Sequence, residues 1–294
     1  MLAVSSRSFD APDFIYEVKW DGYRCLAYLD DSTFLQSRNL RDLTPVFPEL
    51  TDLHQNVGTQ PAVLDGEIIV LDEAGKPSFS RLQARGRLVD SLKVRRAAGR
   101  APALFIAFDI LYCQGENIMS RPLTWRKQLL QESVSPRDNL LISTFIEAGG
   151  TDFYNACVRQ GLEGVMAKAK ESPYLPGRRS PYWRKFRHTH QGEFIIAGYE
   201  PGRGDRSLGA LILGERRPGG LVYRGKVGTG FDREEEAMLL ADLKKLKSAA
   251  SPFAEPLLDL HRPCWVEPRL VVEVEYLELT PDGRLRHPGY RCLL

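Results

Sequence analysis

An α+β fold in two domains is the fold class this 294-residue chain predicts, and three observations carry it. Short β-prone runs separated by turn signals make up most of the chain. A few longer charged stretches interrupt them and read as helices. Near Gln191 the texture changes to short strands joined by Gly- and Pro-rich turns, which sets a domain boundary near 189. The expected units are therefore an antiparallel-sheet domain over 1–189 and a smaller β domain over 190–294.

Taken in order, Tyr16 to Trp20, Arg24 to Leu29 and Thr33 to Ser37 are predicted strands, with Asp30-Asp31 as the turn. VLDGEIIVL (63–71) and ALFIAFDIL (103–111) are two more. The charged stretch from Arg81 to Arg100 between them reads as helix or loop. Pro122 precedes a helix over TWRKQLLQE, and Gly161 stops a second over TDFYNACVRQ. GVMAKAK is a strand, followed by the basic loop PGRRSPYWRKFRHTH. Beyond it, EFIIAGYEP, GALILGE and LVYRGKVG are strands, Arg233 to Ser248 is a helix, and WVEPRLVVEVEYLEL and GRLRHPGY are strands again. Several short strands interrupted by one helix suit a small Greek-key barrel such as an OB-fold.

Composition excludes several classes. A hydrophobic fraction of 43% and a charged fraction of 27% describe a globular chain. No apolar run approaches the roughly 18 residues of a membrane span, and MLAVSSRSFDAPDF does not read as a secretory leader. The five cysteines, Cys25, Cys113, Cys157, Cys264 and Cys292, are widely spaced, which argues against a disulfide framework or a zinc site. A reduced, cytoplasmic compartment follows as the expectation. Net charge is only +2, so charge matters locally: no acidic residue stands between Glu171 and Glu193, while arginines and lysines alternate with aromatics there.

Four stretches carry candidate chemistry. With the first read as a strand, Glu17, Lys19 and Asp21 share one face and Tyr16, Val18 and Trp20 the other. Gly22 breaks that strand and Arg24 returns near the same place. Taken alone, the stretch is better explained as a half-buried strand with a wet face. Asp65 and Glu67 also share a strand face, and two carboxylates in an Ile/Val/Leu-rich strand need a cation, a metal or a hydroxyl to meet them. Glu163 opens another apolar strand, and Lys185 and Arg187 are a cationic pair suited to a phosphate chain. Together, a lysine, carboxylates from two other strands and paired cations form an inventory for attack on the α-phosphate of a nucleoside triphosphate. Glu67 and Glu163 would hold a divalent metal; Arg24, Lys185 and Arg187 would orient phosphates.

The order of these motifs resembles the covalent nucleotidyltransferases, that is, ATP-dependent DNA ligases, RNA ligases and mRNA capping enzymes. KWDGYR (19–24) is followed by SRN (37–39), DGE (65–67), FIAFD (105–109), EGVMAK (163–168) and WRKFR (183–187). YEVKWDGYR, FSRLQ, GLEGVMAK, SPYLPGRRSPYW, EFIIAGY, KVGTGF and DGRLRHP are similar to the phrases of the ligase domain of bacterial non-homologous end-joining ligases of the ligase D type. The resemblance implies a nucleotidyltransferase (adenylation) domain followed by an OB-fold domain. It implies ATP and Mg2+ or Mn2+ as cofactors and a lysine–adenylate at Lys19. Glu17 would sit by the adenine and Phe108 would stack on it, although Phe108 also suits plain core packing. Arg24 and Arg38 would contact ribose or phosphate and then the DNA end. Glu67 would hold ribose or metal, and Glu163 metal. Lys168, Lys185 and Arg187 complete the nucleotide-binding set, with Arg187 standing where the family usually has a second lysine.

The implied partners are nicked or broken double-stranded DNA and a Ku-type end-binding protein, with the chain a monomer, free of membranes and associated with the bacterial nucleoid when on DNA. The family's barrel ends in an arginine and an Asp-Lys pair beyond the DGRLRHP phrase, whereas these residues stop at YRCLL. Arg284, Arg286 and Arg291 are the cations near that end. Two rival readings stay open: an RNA ligase or capping-type enzyme, and a nucleic-acid-binding module weak in catalysis.

Overall fold

The computed structural model describes residues 1–294 apart from 203, 205, 258 and 281. It comprises two compact units, Met1–Arg187 and His188–Leu294.

The first unit holds two sheets. Its strands are β1 (Leu2–Ser5), β2 (Phe14–Val18), β3 (Tyr23–Leu29), β4 (Thr33–Ser37), β5 (Ala62–Val70), β6 (Ala103–Cys113), β7 (Glu116–Asn117), β8 (Leu140–Ile142), β9 (Phe145–Ile146), β10 (Gly164–Ala169) and β11 (Arg179–Arg187). Its helices are α1 (Phe79–Gly86), α2 (Ser91–Arg100), α3 (Leu123–Ser133) and α4 (Gly150–Arg159). One sheet runs β1-β11-β10-β2-β9, antiparallel except for β1 beside β11. The other runs β4-β3-β5-β6-β7, with β8 added parallel to β6.

Strand alternation decides what each face does. On β5, Leu64 and Ile68 enter a large apolar core with Leu35, Leu82 and Phe105, while Asp65 and Glu67 point to the opposite face. Burying side chains of this size stabilises by about 1.5–3 kcal/mol each. The charged stretch from Arg81 to Arg100 folds into two helices, α1 and α2.

In this unit two stretches fold otherwise than the sequence predicts. The strand at Tyr16 ends at Val18, so Lys19 and Asp21 lie beyond it, and Tyr16 and Glu17 are both buried. Pairing with β10 on one edge and β9 on the other makes β2 a central strand covered on both faces, not one with a wet face. The basic stretch expected as a loop is the strand β11, because Trp183 and Phe186 are buried and Gly164 to Lys168 pair with it.

The second unit contains β12 (His190–Pro201), β13 (Leu208–Arg217), β14 (Gly220–Val227), α5 (Arg233–Lys245), β15 (Cys264–Trp265), β16 (Val271–Tyr276) and β17 (Gly289–Leu293). These strands form one antiparallel sheet, β14-β13-β12-β16-β17, with β15 beside β12. Register shifts on β12, β13 and β16 mark bulges, which bend and twist such strands. Ile196, Leu211 and Leu213 join Leu239 and Leu243 of α5 in one core; Ala197, Ile212 and Tyr223 face another with Phe253. Asp232 and Glu235 form a capping box that starts α5. Pro268 splits the run expected as one long strand, leaving β15 and β16 on either side of it. GRLRHPGY is mostly turn: His287 takes φ 49 before Pro288, and β17 starts only at Gly289. No helix among the described residues is long and apolar enough to cross a membrane.

Candidate active site

A pocket in the first unit is lined by Glu17, Lys19, Arg24, Arg38, Glu67, Phe108, Lys168, Lys185 and Arg187, together with Trp20, Met166, Arg179 and Trp183. Residues from six separate stretches of sequence thus meet in one cavity. Glu163 stands beside it through its contacts with Lys19 and Arg187.

Two glycines make this convergence possible. A Cβ at Gly22 would collide with the Ile68 carbonyl oxygen, so only glycine lets the KWDG turn lie against β5. Gly164 has φ 142, and a Cβ there would run into the Phe186 carbonyl oxygen. Glycine at 164 therefore seats the start of β10 directly on β11, opposite Arg187. The Lys19 amide donates to the Gly164 carbonyl at 2.9 Å, which fastens Lys19 next to Glu163. Their side chains form an ion pair, and Arg187 Nε lies 3.3 Å from the other carboxylate oxygen.

Glu67 faces the pocket from β5. Burial, reinforced by the charges of Asp65 and Glu163 and opposed by Lys19 and Arg24, pushes its carboxyl up to about 8. Lys185 is the converse case: burial and the nearby charges of Arg187, Lys19 and Arg179 lower its ammonium to about 8. Among the described residues no hydrogen bond or ion pair engages the Glu67 carboxylate or the Lys185 ammonium. An incoming cation would relieve the first and an incoming anion the second.

Other charges are already matched. Arg24 clamps Asp65 in a two-point contact, Nε to Oδ1 at 3.0 Å and Nη2 to Oδ2 at 2.6 Å, and the Tyr174 hydroxyl donates to Asp65 Oδ2 at 2.8 Å. Glu17 lies at the pocket floor, 1% exposed. Lys168 Nζ reaches its Oε2 at 3.1 Å and Lys127 Nζ its Oε1 at 2.7 Å. Burial alone would raise the Glu17 carboxyl, but these two lysines outweigh it and hold the group below the usual carboxylate range. Phe108 is nearly buried, edge-on to Trp183 at 5.9 Å, with Lys168 Nζ 4.3 Å from its ring centroid. Arg38, on the turn after β4, is exposed at the rim.

Sequence reading missed Lys127, Tyr174, Arg179 and Trp183 as site residues. Trp183 and Arg179 lie within quoted phrases and could have been found there. Lys127 had no signal: its helix carries no clean apolar stripe, and both Arg126 and Lys127 turn inward.

The donors suit a hard divalent cation. Two carboxylates on the pocket side, Glu67 and Glu163, supply oxygen ligands and repel one another when unpaired. Among the described residues no group of three or more His, Cys, Asp or Glu is arranged to hold a metal. Mg2+ is commonly bound through one or two carboxylates, with substrate phosphates and water completing its shell.

The first unit has the nucleotidyltransferase architecture and the second is an OB-fold domain, an arrangement shared with solved ligase D structures. The ATP dependent DNA ligase domain family matches residues 1–187, and the ATP dependent DNA ligase C terminal region family matches residues 204–293. The chain belongs to the ATP-dependent DNA ligases. It is 38% identical over 288 residues to the multifunctional non-homologous end joining protein LigD of Mycobacterium bovis, a match that covers 96% of this chain and 36% of that protein. With the LigD of Pseudomonas aeruginosa it shares 34% identity over 293 residues, 96% of this chain and 33% of that protein. The chain thus spans about a third of the length of these relatives. Among solved structures, a mycobacterial DNA ligase D complexed with ATP and MES matches with TM-score 0.57 and 35% identity, covering 100% of this chain and 94% of that one. The ligase domain of Mycobacterium tuberculosis LigD matches with TM-score 0.56 and 36% identity, covering 100% and 93%.

Proposed function

We propose that the protein seals breaks in double-stranded DNA through a lysine–adenylate, in the setting of end joining. The observation that supports this best is Lys19, fixed by its own amide to Gly164 and surrounded by Glu163, Arg187 and Lys185. The unprotonated Lys19 Nζ attacks the α-phosphorus of ATP; a P–N bond forms and pyrophosphate leaves. The adenylyl group then passes to a DNA 5′-phosphate, freeing the lysine. Finally the 3′-hydroxyl attacks that phosphate and AMP departs.

Lys185, Arg187 and Arg38 bind and orient the phosphates, and Arg24 acts from its fixed position on Asp65. Glu17 and Phe108 meet the adenine. Glu67 and Glu163 would hold Mg2+ or Mn2+, which when bound neutralises phosphate charge. Residues 1–189 serve as the adenylation domain and 190–294 as the OB-fold domain. A hinge near residues 188–192 would let the two domains move, and His188 and Thr189 lie outside strands there. The protein works in the cytoplasm as a monomer, and a Ku-type protein would bring it to ends. Arg284, Arg286 and Arg291, the cations near the final residues, already have carboxylate partners in Asp259, Glu278 and Glu273.

Incubation with α-labelled ATP and Mg2+ tests the reading. Acid-labile label on the wild-type protein, absent from Lys19→Ala, is expected, followed by sealing of a nicked duplex. Equal label on both proteins overturns it; label from GTP instead of ATP would favour a capping-type activity.

A further inference from the structure

No step above uses residues 75–102, yet they hold the strongest charge asymmetry in the chain. They carry eight lysines or arginines against one aspartate, a net +7. The other 266 residues carry 32 cations and 37 carboxylates, a net −5. Arg85 is buried against Glu49 and Arg81 pairs with Glu73. Among the described residues, Arg87, Lys93, Arg95, Arg96 and Arg100 have no ion-pair partner, and all five are exposed.

The helix α2 shows what these cations cost. Val94 is buried and Ala97 and Ala98 are half-buried, so one face docks on the core. Lys93, Arg96 and Arg100, at i, i+3 and i+7, line the side turned away from it, spanning about 10 Å. Like charges at these spacings destabilise a helix, and Lys93 sits in the first turn, where the helix dipole disfavours a cation. The helix holds no acidic residue to compensate. Beside this row Val89 and Leu92 are 97% and 62% exposed. An ordinary solvated face would mix charge signs; this one concentrates a single sign at a cost in stability.

The surface is firmly anchored. Phe79 meets the Tyr23 ring edge-on at 5.8 Å, and Gly86 approaches the same ring so closely that a Cβ would clash. Leu82 packs with Leu64 and Ile68, on the face of β5 opposite Asp65 and Glu67. α1 therefore covers the sheet face turned away from the pocket, and α2 packs against the short turn of helix at Pro48–Leu50.

We propose that α2, with Arg87 just after α1, forms a second nucleic-acid surface, which grips the phosphate backbone of duplex DNA outside the pocket. Phosphates follow one another every 3.4 Å of axis along a strand, so a 10 Å row of cations spans about three of them. The ligase reading enters only in choosing DNA as the polyanion. Binding here is independent of sequence and of a break, and holds duplex away from the reacting ends.

Binding to an unbroken duplex across a salt series tests this, comparing the wild type with the triple variant Lys93→Ser, Arg96→Ser, Arg100→Ser. The slope of log affinity against log salt is expected to fall by about two to three, since each lost phosphate contact removes about 0.9. Labelling by α-labelled ATP, which needs no DNA, is expected to stay at the wild-type level. Should the triple variant misfold, Arg96→Gln alone is expected to lower the slope by about one. Unchanged affinity and slope with normal labelling overturn the surface and leave the ligase reading standing. Absence of label on the wild type sinks the ligase reading, while the salt series still decides the surface.

Discussion

Two ionic clusters in the first unit make an instructive comparison. Asp109 of β6 and Arg126 of α3 are both fully buried, paired through Nε–Oδ1 at 2.8 Å and Nη2–Oδ2 at 2.9 Å. Arg126 Nη1 also donates to the carbonyls of Arg121 and Ser172. Each polar atom is spoken for, and the pair ties α3 to the sheet. Around Lys19 the same residue types are arranged differently: Glu163 serves two cations, while Glu67 and Lys185 have no partner among the described residues. A closed set of charges stabilises one structure; an open set leaves electrostatic free energy for a ligand to collect.

Breaking the closed cluster should have the largest effect. Asp109→Ala leaves a buried guanidinium uncompensated and is expected to destabilise by about 3–5 kcal/mol, read as a lower denaturation midpoint. Little loss of stability would mean the pair is not closed in solution. Next comes Glu163→Gln, which should leave the denaturation midpoint within about 1 kcal/mol yet slow lysine adenylation by roughly 10²–10³. A variant that unfolds instead would place Glu163 with the structural pairs.

Lys127→Met probes an intermediate case. Lys168 still faces Glu17, so a loss of about 1–3 kcal/mol is expected, with a higher KM for ATP because Glu17 can turn. An unchanged KM would show that Glu17 needs only Lys168. The mildest effect concerns pH. Lys185, lowered to about 8 by burial and neighbouring cations, is charged below that value and neutral above it. The KM for ATP in self-adenylation should rise as pH passes about 8, by less than tenfold, and Lys185→Arg should flatten the profile. A profile with the same inflection in both proteins would assign it to another group.

Much of this was legible along the chain. β-prone runs bounded by turn signals located β4, β5, β6 and β10, because β-branched and aromatic residues suit a pleated, half-buried surface. KWDGYR, DGE, EGVMAK and WRKFR marked chemistry-bearing residues that do line one pocket or stand beside it. The helix over 233–248 was readable from its charged amphipathic stretch, even though α5 ends at Lys245.

What the chain alone determined was local: where backbones extend or coil, and which residues are too polar or too conformationally free to be ordinary core. Only the tertiary structure decided which partners those residues meet. Glu17 is buried rather than wet because β10 and β9 flank its strand and Lys127 arrives from a helix over a hundred residues away. Arg24 is committed to Asp65, and Glu67 is not committed to anything described, although both carboxylates share one strand face. Such pairings depend on what packs across a sheet, and Coulomb interactions act through distance in space, not separation in sequence.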